Sequence, residues 1–250
     1  MGIRNTGGFK YLYNKLQVMV TIDNLEVSHT PQVIYDSFNS FILSDDRRVF
    51  NKMVARTLMY NQVKDIPGDI VECGVFKGTG MYTFLKLKNT LNANSSKKVI
   101  GFDFFDTDKL LLSIDDSMDK QTMNVLFTGR DFKHSTSFKE TLENQLQSHN
   151  FKPSEFELIQ GDVSITSKQF AEDNPGFKIS LLYMDLDLEQ PTYSTLNNLW
   201  SNMTKGGIIV FDEYGYHKWS ESRGVDLFIE EKGLQIRSLD YACPTAYIVK

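Results

Sequence analysis

Between Ile179 and Tyr216 the chain reads ISLLYMDLDLEQPTYSTLNNLWSNMTKGGIIVFDEYGY, two short apolar runs that each stop at paired acids, with a helix-length stretch between them. An apolar run of strand length without polar alternation suits a parallel strand buried on both faces. Ile179 to Met184 is one such run and stops at Asp185 and Asp187; Ile208 to Phe211 is the other and stops at Asp212 and Glu213. Pro191 suits the first turn of a helix, where its missing N–H costs nothing; the pattern then reads helical to Met203, and Gly206-Gly207 ends it. Strand-helix-strand crossovers are right-handed and usually join parallel neighbours, so both acidic pairs are expected at the C-terminal edge of one sheet. Ligands of open α/β sheets bind at that edge. The fold class follows: α/β, Rossmann-like and doubly wound around a mostly parallel sheet.

Asp185 and Asp187 are two residues apart, so a continuing strand pleat would point both side chains to one side. With Asp212 and Glu213 on the neighbouring strand, four carboxylates then converge. Left alone they repel one another, which suggests either a bound cation or a shared proton. All-oxygen donors favour a hard ion, with Mg2+ first. The plainer alternative is that each acid starts a solvated loop or caps a helix.

The rest of the chain supplies the other strands. Ile66-Pro67-Gly68 is a turn signal before a buried strand, Asp69 to Gly74, and after it comes EcGvfkGtG, where Glu72, Gly74, Gly78 and Gly80 surround a strand-to-helix turn. Thr79 to Leu91 continue as a helix. Glycines let backbone approach a ligand, and the helix N-terminus offers unpaired N–H groups. The spacing is not the dinucleotide pattern G-x-G-x-x-G, which weakens a nicotinamide reading. The next strand, VIGFDFF, ends at Asp103, an acid placed to accept from ribose hydroxyls. Phe104 and Phe105 either sandwich a purine or belong to the core. A third strand, Glu155 to Ile159, leads to Gly161-Asp162-Val163, where Asp162 either bonds an adenine amine or caps the following helix. Tyr214 to Ser222 read as an aromatic, polar loop and Arg223 to Glu231 as a helix. Leu234 to Ser238 and Thr245 to Val249 read as a closing antiparallel hairpin, which makes seven strands with the others.

Two segments stand outside this alternation. Residues 1 to about 32 carry no clear period and read as an irregular or partly helical arm, followed by two amphipathic helices between Val33 and Tyr60 that cover the sheet or pack against another subunit. The division is therefore expected near residue 65, with residues 66 to 250 as the main domain. Thr107 to Asn150 is long for a connection and reads as an insertion capping the sheet edge; His134 and His149 in or near it are left out of the site.

Composition narrows the class. The 250 residues are 41% hydrophobic and 24% charged with a formal net charge of −5, which suits one α/β domain and provides no basic footprint for nucleic acid or anionic membranes. The chain has no apolar run of membrane-spanning length and no signal-peptide pattern, so a cytoplasmic location is expected. Cys73 and Cys243 both read as strand residues that pack as small apolar groups.

Taken in order, EcGvfkGtG, FD at the second strand end, GDV, LLYMDLDLeqPT and GGIIVFDEYG resemble the class I S-adenosylmethionine-dependent methyltransferases. More narrowly, they are similar to the macrocin O-methyltransferase family, which includes sugar O-methyltransferases; the resemblance runs from about Asp69 to Lys250. It implies a seven-stranded sheet with a terminal antiparallel hairpin. It implies Glu72, Gly74 and Gly78 around the methionine part of S-adenosylmethionine, Asp103 on its ribose and Asp162 at its adenine, with Thr79, Phe104 and Val163 beside them. It further implies Asp185, Asp212 and Glu213 as Mg2+ ligands and Asp187 as general base. Two positions depart from the pattern: Phe76 stands where the superfamily often has glycine, and Glu213 stands where relatives carry a second aspartate.

The implied reaction is methylation of a sugar hydroxyl, on a nucleotide-linked deoxysugar or a glycosylated natural product, by an enzyme that self-associates. Tyr214, His217, Trp219 and Arg223 follow the metal motif as candidate acceptor-pocket residues; for Arg223 the alternative is an ion pair with Glu221 or Asp226. Two other readings compete. DLDLE resembles the DxD nucleophile of haloacid-dehalogenase-like phosphatases, although three expected strands precede it and Glu189 stands where those enzymes carry threonine or valine. The fold could also persist as a non-catalytic binding subunit.

Overall fold

The computed structural model describes residues 19–22, 25–28, 30–129, 138–239 and 243–250. It divides into two units, Met1–Asp46 and Arg47–Lys250. In the first, Met19–Ile22 (β1) pairs antiparallel with Leu25–Ser28 (β2), a two-stranded ribbon within the expected arm, whose residues 1–18 lie outside the described residues. The signal is in the letters: MVTI and LEVS are short and carry β-branched residues. Pro31–Leu43 (α1) follows, with the Thr30 hydroxyl accepting the Val33 N–H as its N-cap and Pro31 at its first position.

The second unit opens with Arg48–Val63 (α2), whose Ala55, Arg56, Met59, Tyr60 and Val63 are buried. Burial of that face draws α2 to the sheet, and α2 falls within the unit Arg47–Lys250. The chain then runs through Asp69–Cys73 (β3), Thr79–Leu91 (α3), Val99–Asp103 (β4), Thr107–Ser113 (α4), Ser117–Gly129 (α5), Phe138–Ser148 (α6), Phe156–Gln160 (β5) and Val163–Asp173 (α7). Ile179–Met184 (β6), Glu189–Leu199 (α8), Met203–Phe211 (β7), Glu221–Lys232 (α9), Arg237–Ser238 (β8) and Ala246–Val249 (β9) complete it. Among the described residues, no helix is long and apolar enough to cross a membrane.

The strands from β3 onward form one seven-stranded sheet in the order β5-β4-β3-β6-β7-β9-β8. Its first five members are parallel, and β9 pairs antiparallel with both β7 and β8, the closing hairpin the sequence led one to expect. From β3 the chain moves outward through β4 and β5, then crosses to β6 on the other side. The order therefore reverses between β3 and β6, and a crevice opens beyond their C-terminal ends. One sheet face buries Val71, Phe102, Leu182, Met184, Ile209 and Phe211 against Leu196, Leu199, Val225 and Phe228. Each such side chain contributes roughly 2 kcal/mol by leaving water.

The central crossover keeps Pro191 in the first turn of its helix and differs from the sequence reading at the helix end. Pro191 sits at the third helical position, and α8 ends at Leu199; a single 3₁₀ turn, Trp200–Asn202, leads directly into β7 at Met203. Gly206 and Gly207 thus lie within the strand rather than ending the helix. Met203 pairs with Ile179 but Ile208 pairs with Leu181, so the segment between them bulges. The glycines permit it: Gly206 has φ +84°, and a Cβ on Gly207 would stand 2.9 Å from the Thr204 carbonyl oxygen and 3.0 Å from that of Ser180.

Candidate active site

The crevice is built first by the turn after β3. Gly74 has φ +91°, and a Cβ there would lie 1.9 Å from the carbonyl oxygen of Asp185, so glycine is what lets the ends of β3 and β6 meet. Asp103, at the tip of β4, holds the turn in place. Its Oδ2 accepts the backbone N–H groups of Val75 (2.9 Å) and Phe76 (3.0 Å), and its Oδ1 accepts that of Phe105 (2.8 Å). Phe76 takes a left-handed φ of +49° within this arrangement, a conformation that glycine would adopt without strain.

A cavity of about 450 Å³ runs from this turn along the strand ends. Of the residues expected around a nucleotide cofactor, Gly74, Asp103, Phe104, Asp162 and Val163 line it. Asp162 also caps α7, accepting the Ser164 N–H at 2.8 Å, so both roles considered for it are open to one side chain. Phe105, by contrast, is core and stacks on Phe138 with ring centroids 6.2 Å apart.

Glu72, Gly78 and Thr79 do not line the cavity. Glu72 is buried behind the turn, where its Oε1 pairs with Arg56 at 3.3 Å. Gly80 makes room for it, since a Cβ there would meet Glu72 Oε1 at 1.6 Å. Gly78 begins α3 with φ +83°, and its missing Cβ leaves space for Leu142 of α6. Thr79 is exposed at the start of α3.

At the other end of the cavity stand Asp185, Asp187 and Glu213. They converge, but not through the strand pleat: β6 ends at Met184, and Asp187 has a left-handed φ of +64°. Asp212 lies fully buried beneath them. Its Oδ1 accepts the Tyr183 hydroxyl at 2.5 Å, and its Oδ2 accepts Lys52 Nζ at 2.6 Å and the Cys243 thiol at 2.9 Å. Cys243 thus precedes β9 instead of lying in a strand, and its partner is polar.

The helix α2 supplies what the sequence reading missed. Arg48 pairs with Glu213, Lys52 with Asp212 and, at 3.5 Å, with Asp185, and Arg56 with Glu72. The spacing of four places all three cations on one helix face. That recurrence was the available signal, overshadowed by the apolar residues between them. Glu221, at the start of α9, is a further buried acid; one carboxylate oxygen accepts the Glu213 N–H at 3.2 Å, and the other has no hydrogen-bond partner. Its own N–H donates to the Asp187 carbonyl at 3.2 Å.

The electrostatics follow from this count. Burial, and then the charges of Asp185, Glu213 and Asp212, hold Asp187 well above the usual carboxylate range. Burial followed by Asp212 raises Asp185, and the same two causes push Glu213 up to about 7. Burial and Asp187 hold Glu221 well up. Burial acts on Asp212 too, but Lys52, Cys243 and Tyr183 outweigh it and keep that group below its ordinary value. Asp185, Asp187, Asp212, Glu213 and Glu221 thus have described ion pairs only with Arg48 and Lys52, while the Arg56 charge acts on Asp185 from its pairing with Glu72. A divalent cation would offset the excess, and carboxylate oxygens suit a hard one, so these residues fit Mg2+. Ligand atoms of Asp212, Glu213 and Cys243 lie within 4.8 Å of one another.

Residues of α4 and α5 wall another part of the cavity. Ile114, Met123 and Leu188 pack with Leu110, Leu126, Phe127 and Trp219 to form an apolar wall. Asp119 accepts the Ser220 hydroxyl at 2.7 Å and Ser220 Oγ accepts the Glu189 N–H at 2.8 Å, which ties α5 to the loop before α9 and the start of α8. Trp219 and Arg223 line the cavity, whereas Tyr214 and His217 do not. Arg223 pairs with Glu189 at 3.3 Å, neither of the acids considered for it. His149 is hydrogen-bonded to Tyr82 at 2.9 Å, away from the site, and His134 lies outside the described residues.

Comparison with known proteins agrees with this geometry. The family model for macrocin-O-methyltransferase (TylF) matches residues 46–244. No curated protein matches the chain. Among solved structures, CalS11, a calicheamicin methyltransferase, is similar with a TM-score of 0.70 and 26% identity over 88% of this chain and 87% of that one. An apo structure of CalS11, described as a TDP-rhamnose 3'-O-methyltransferase of calicheamicin biosynthesis, gives 0.68 and 26% over 88% of each chain. The O-methyltransferase NovP shares the fold, with a TM-score of 0.63 at 19% identity over 80% of this chain and 79% of that one. With most of the chain matched and the cavity at the reversal of strand order, this chain belongs to the macrocin O-methyltransferase family and is an S-adenosylmethionine-dependent O-methyltransferase.

Proposed function

We propose that the enzyme methylates a sugar hydroxyl with Mg2+ held at the acidic end of the cavity and Asp187 as general base. The observation that carries this is continuity: one cavity joins Gly74, Asp103 and Asp162, suited to a nucleoside, to Asp185, Asp187 and Glu213, suited to polyol and cation. The likeness to CalS11, whose description names TDP-rhamnose, supports a sugar acceptor, either a nucleotide-linked deoxysugar or a glycosylated natural product. A phosphatase built on Asp185 and Asp187, or a non-catalytic subunit, gives way to the family match.

When bound, S-adenosylmethionine supplies an activated methyl group, and Mg2+ held by Asp185, Asp212 and Glu213 would acidify a hydroxyl beside it. The chain supplies alignment and a proton acceptor. Asp187, with its proton affinity raised by burial and neighbouring acids, takes the hydroxyl proton in its ionised form. Gly74, Asp103 and Asp162 would hold the cofactor, which would supply the methyl carbon to the hydroxyl oxygen and keep the departing electron pair on its sulfur. Leu110, Ile114, Met123 and Trp219 exclude water from the reacting groups. Self-association through the N-terminal helices and a cytoplasmic location belong to the same proposal.

The test is titration calorimetry of S-adenosylhomocysteine into the protein with and without Mg2+, followed by methyl-transfer assays on sugar acceptors. Binding that Asp103→Ala weakens, and turnover that a chelator abolishes, are the expected results. Turnover insensitive to chelation would remove Mg2+ from the mechanism.

A further inference from the structure

Methyl transfer alone gives no account of Lys52. It lies between Arg48 and Arg56 on the face of α2 turned to the acids, yet its setting differs from both. The Arg56 guanidinium is 7% exposed, sits 4.6 Å from the Tyr183 ring centroid and pairs with Glu72. Arg48 is bound to Glu213 and its side chain is 45% exposed. Among the described residues, Lys52 alone bridges acids from two strand ends, with Nζ 2.6 Å from Asp212 Oδ2 and 3.5 Å from Asp185 Oδ2. Those acids immediately follow β6 and β7, adjacent parallel strands. A compact charge between them occupies the place of a cation that bridges them.

Three features make this position exchangeable. An ammonium is a point charge on a flexible four-carbon stem, closer in shape to a metal ion than a planar guanidinium is. The Lys52 side chain is 25% exposed and lines the cavity, so it has open space to enter. Asp212 would not be left bare by its departure, because Tyr183 still donates to Oδ1 and Cys243 to Oδ2.

We propose that Lys52 is a placeholder cation, holding Asp185 and Asp212 together in the absence of a divalent ion and yielding them when the ion binds. The proposal rests on the Mg2+ reading given above. The ammonium keeps its proton and moves into the cavity. The carboxylates stay neutralised and gathered before the ion arrives, and the ion's affinity is lowered by the contacts it must displace.

The test is calorimetric titration of Mg2+ into the full chain and into Lys52→Met at fixed pH and ionic strength. Removing a competing unit charge at hydrogen-bond distance should tighten Mg2+ binding by about tenfold or more. Lys52→Arg, which keeps the charge, should bind no more tightly than the wild type. A second measurement needs no variant: Mg2+ should increase acylation of the Lys52 amine severalfold, read by peptide mass spectrometry. Unchanged or weaker Mg2+ binding by folded Lys52→Met, or labelling indifferent to Mg2+ in a protein that binds it, overturns the placeholder and leaves the metal reading standing. Absence of Mg2+ binding by both proteins removes the metal reading and the placeholder with it.

Discussion

Asp187 carries a backbone conformation that non-glycine residues adopt at a cost of about 1 kcal/mol or more. The Glu221 N–H donates to its carbonyl and helps hold it there, so the side chain is aimed by the loop rather than by the strand. Asp187→Asn keeps the shape and cannot take a proton as a carboxylate does. Turnover should fall by about 10²- to 10⁴-fold, with S-adenosylhomocysteine affinity unchanged by calorimetry. Wild-type turnover in a methyl-transfer assay would remove the base assignment. Gly74 makes a different prediction, because a Cβ there meets backbone that cannot yield, 1.9 Å from the Asp185 oxygen. Gly74→Ala should cost at least ~2 kcal/mol in denaturant unfolding and weaken cofactor binding. Gly176→Ala is the control, since a Cβ there meets nothing within 4 Å; a Gly74→Ala protein as stable as the control would show that the turn relaxes. At this scale the acids were legible because each ends an apolar run. Glu221 was not, and the four-residue recurrence of Arg48, Lys52 and Arg56 marks a cationic face without pointing to Asp185, 133 residues from Lys52.

The elements divide in the same way. β3, β4, β5 and β6 were legible because nearly continuous apolar runs bounded by turn residues have few other uses in a chain of this size. The passage from α8 to β7 was misread because a glycine pair ends helices in most settings, and only pairing with β6 makes a bulged strand of it. α2 is legible as a helix that covers the sheet or packs against another subunit, and it does pack on the sheet, but its apolar period hides the cation repeat of Arg48, Lys52 and Arg56. Arg56 tests how firmly that helix is fastened. It pairs with Glu72 at 3.3 Å, and burial nevertheless pushes the Glu72 carboxyl up to about 8, so the attraction only partly offsets desolvation. Arg56→Met should therefore cost about 2 kcal/mol near neutral pH, with the loss smaller in Arg56→Met/Glu72→Gln than the two single changes predict together. Additive losses in a denaturant double-mutant cycle would show that the pair contributes packing alone.

For the whole molecule, acids gathered at one sheet edge make stability a function of pH and of bound cation. Glu72 has an ordinary value of 4.5 and a folded value of about 8. Between those values the folded chain binds more protons than the unfolded chain, so stability is greatest at the acidic end and falls as pH rises. Burial raises Glu213 to about 7, and Asp185, Asp187 and Glu221 are also raised, so these groups act with the same sign. Asp212 is lowered and acts in the opposite sense. Four raised groups beside Glu72 outweigh one lowered group, and the metal-free protein should lose thermal stability steadily from about pH 5 to about pH 8. Glu72→Gln removes one titrating group that lies outside the cavity wall and should flatten part of the slope in metal-free protein. Saturating Mg2+ should flatten a different part, because the ion favours ionised Asp185 and Glu213 and leaves Glu72 behind the turn. The two effects should add in a series of melting curves. Stability that rises across this window in the absence of metal would mean that the acids are held ionised by the protein alone, and the fold would then have no electrostatic need of a second cation.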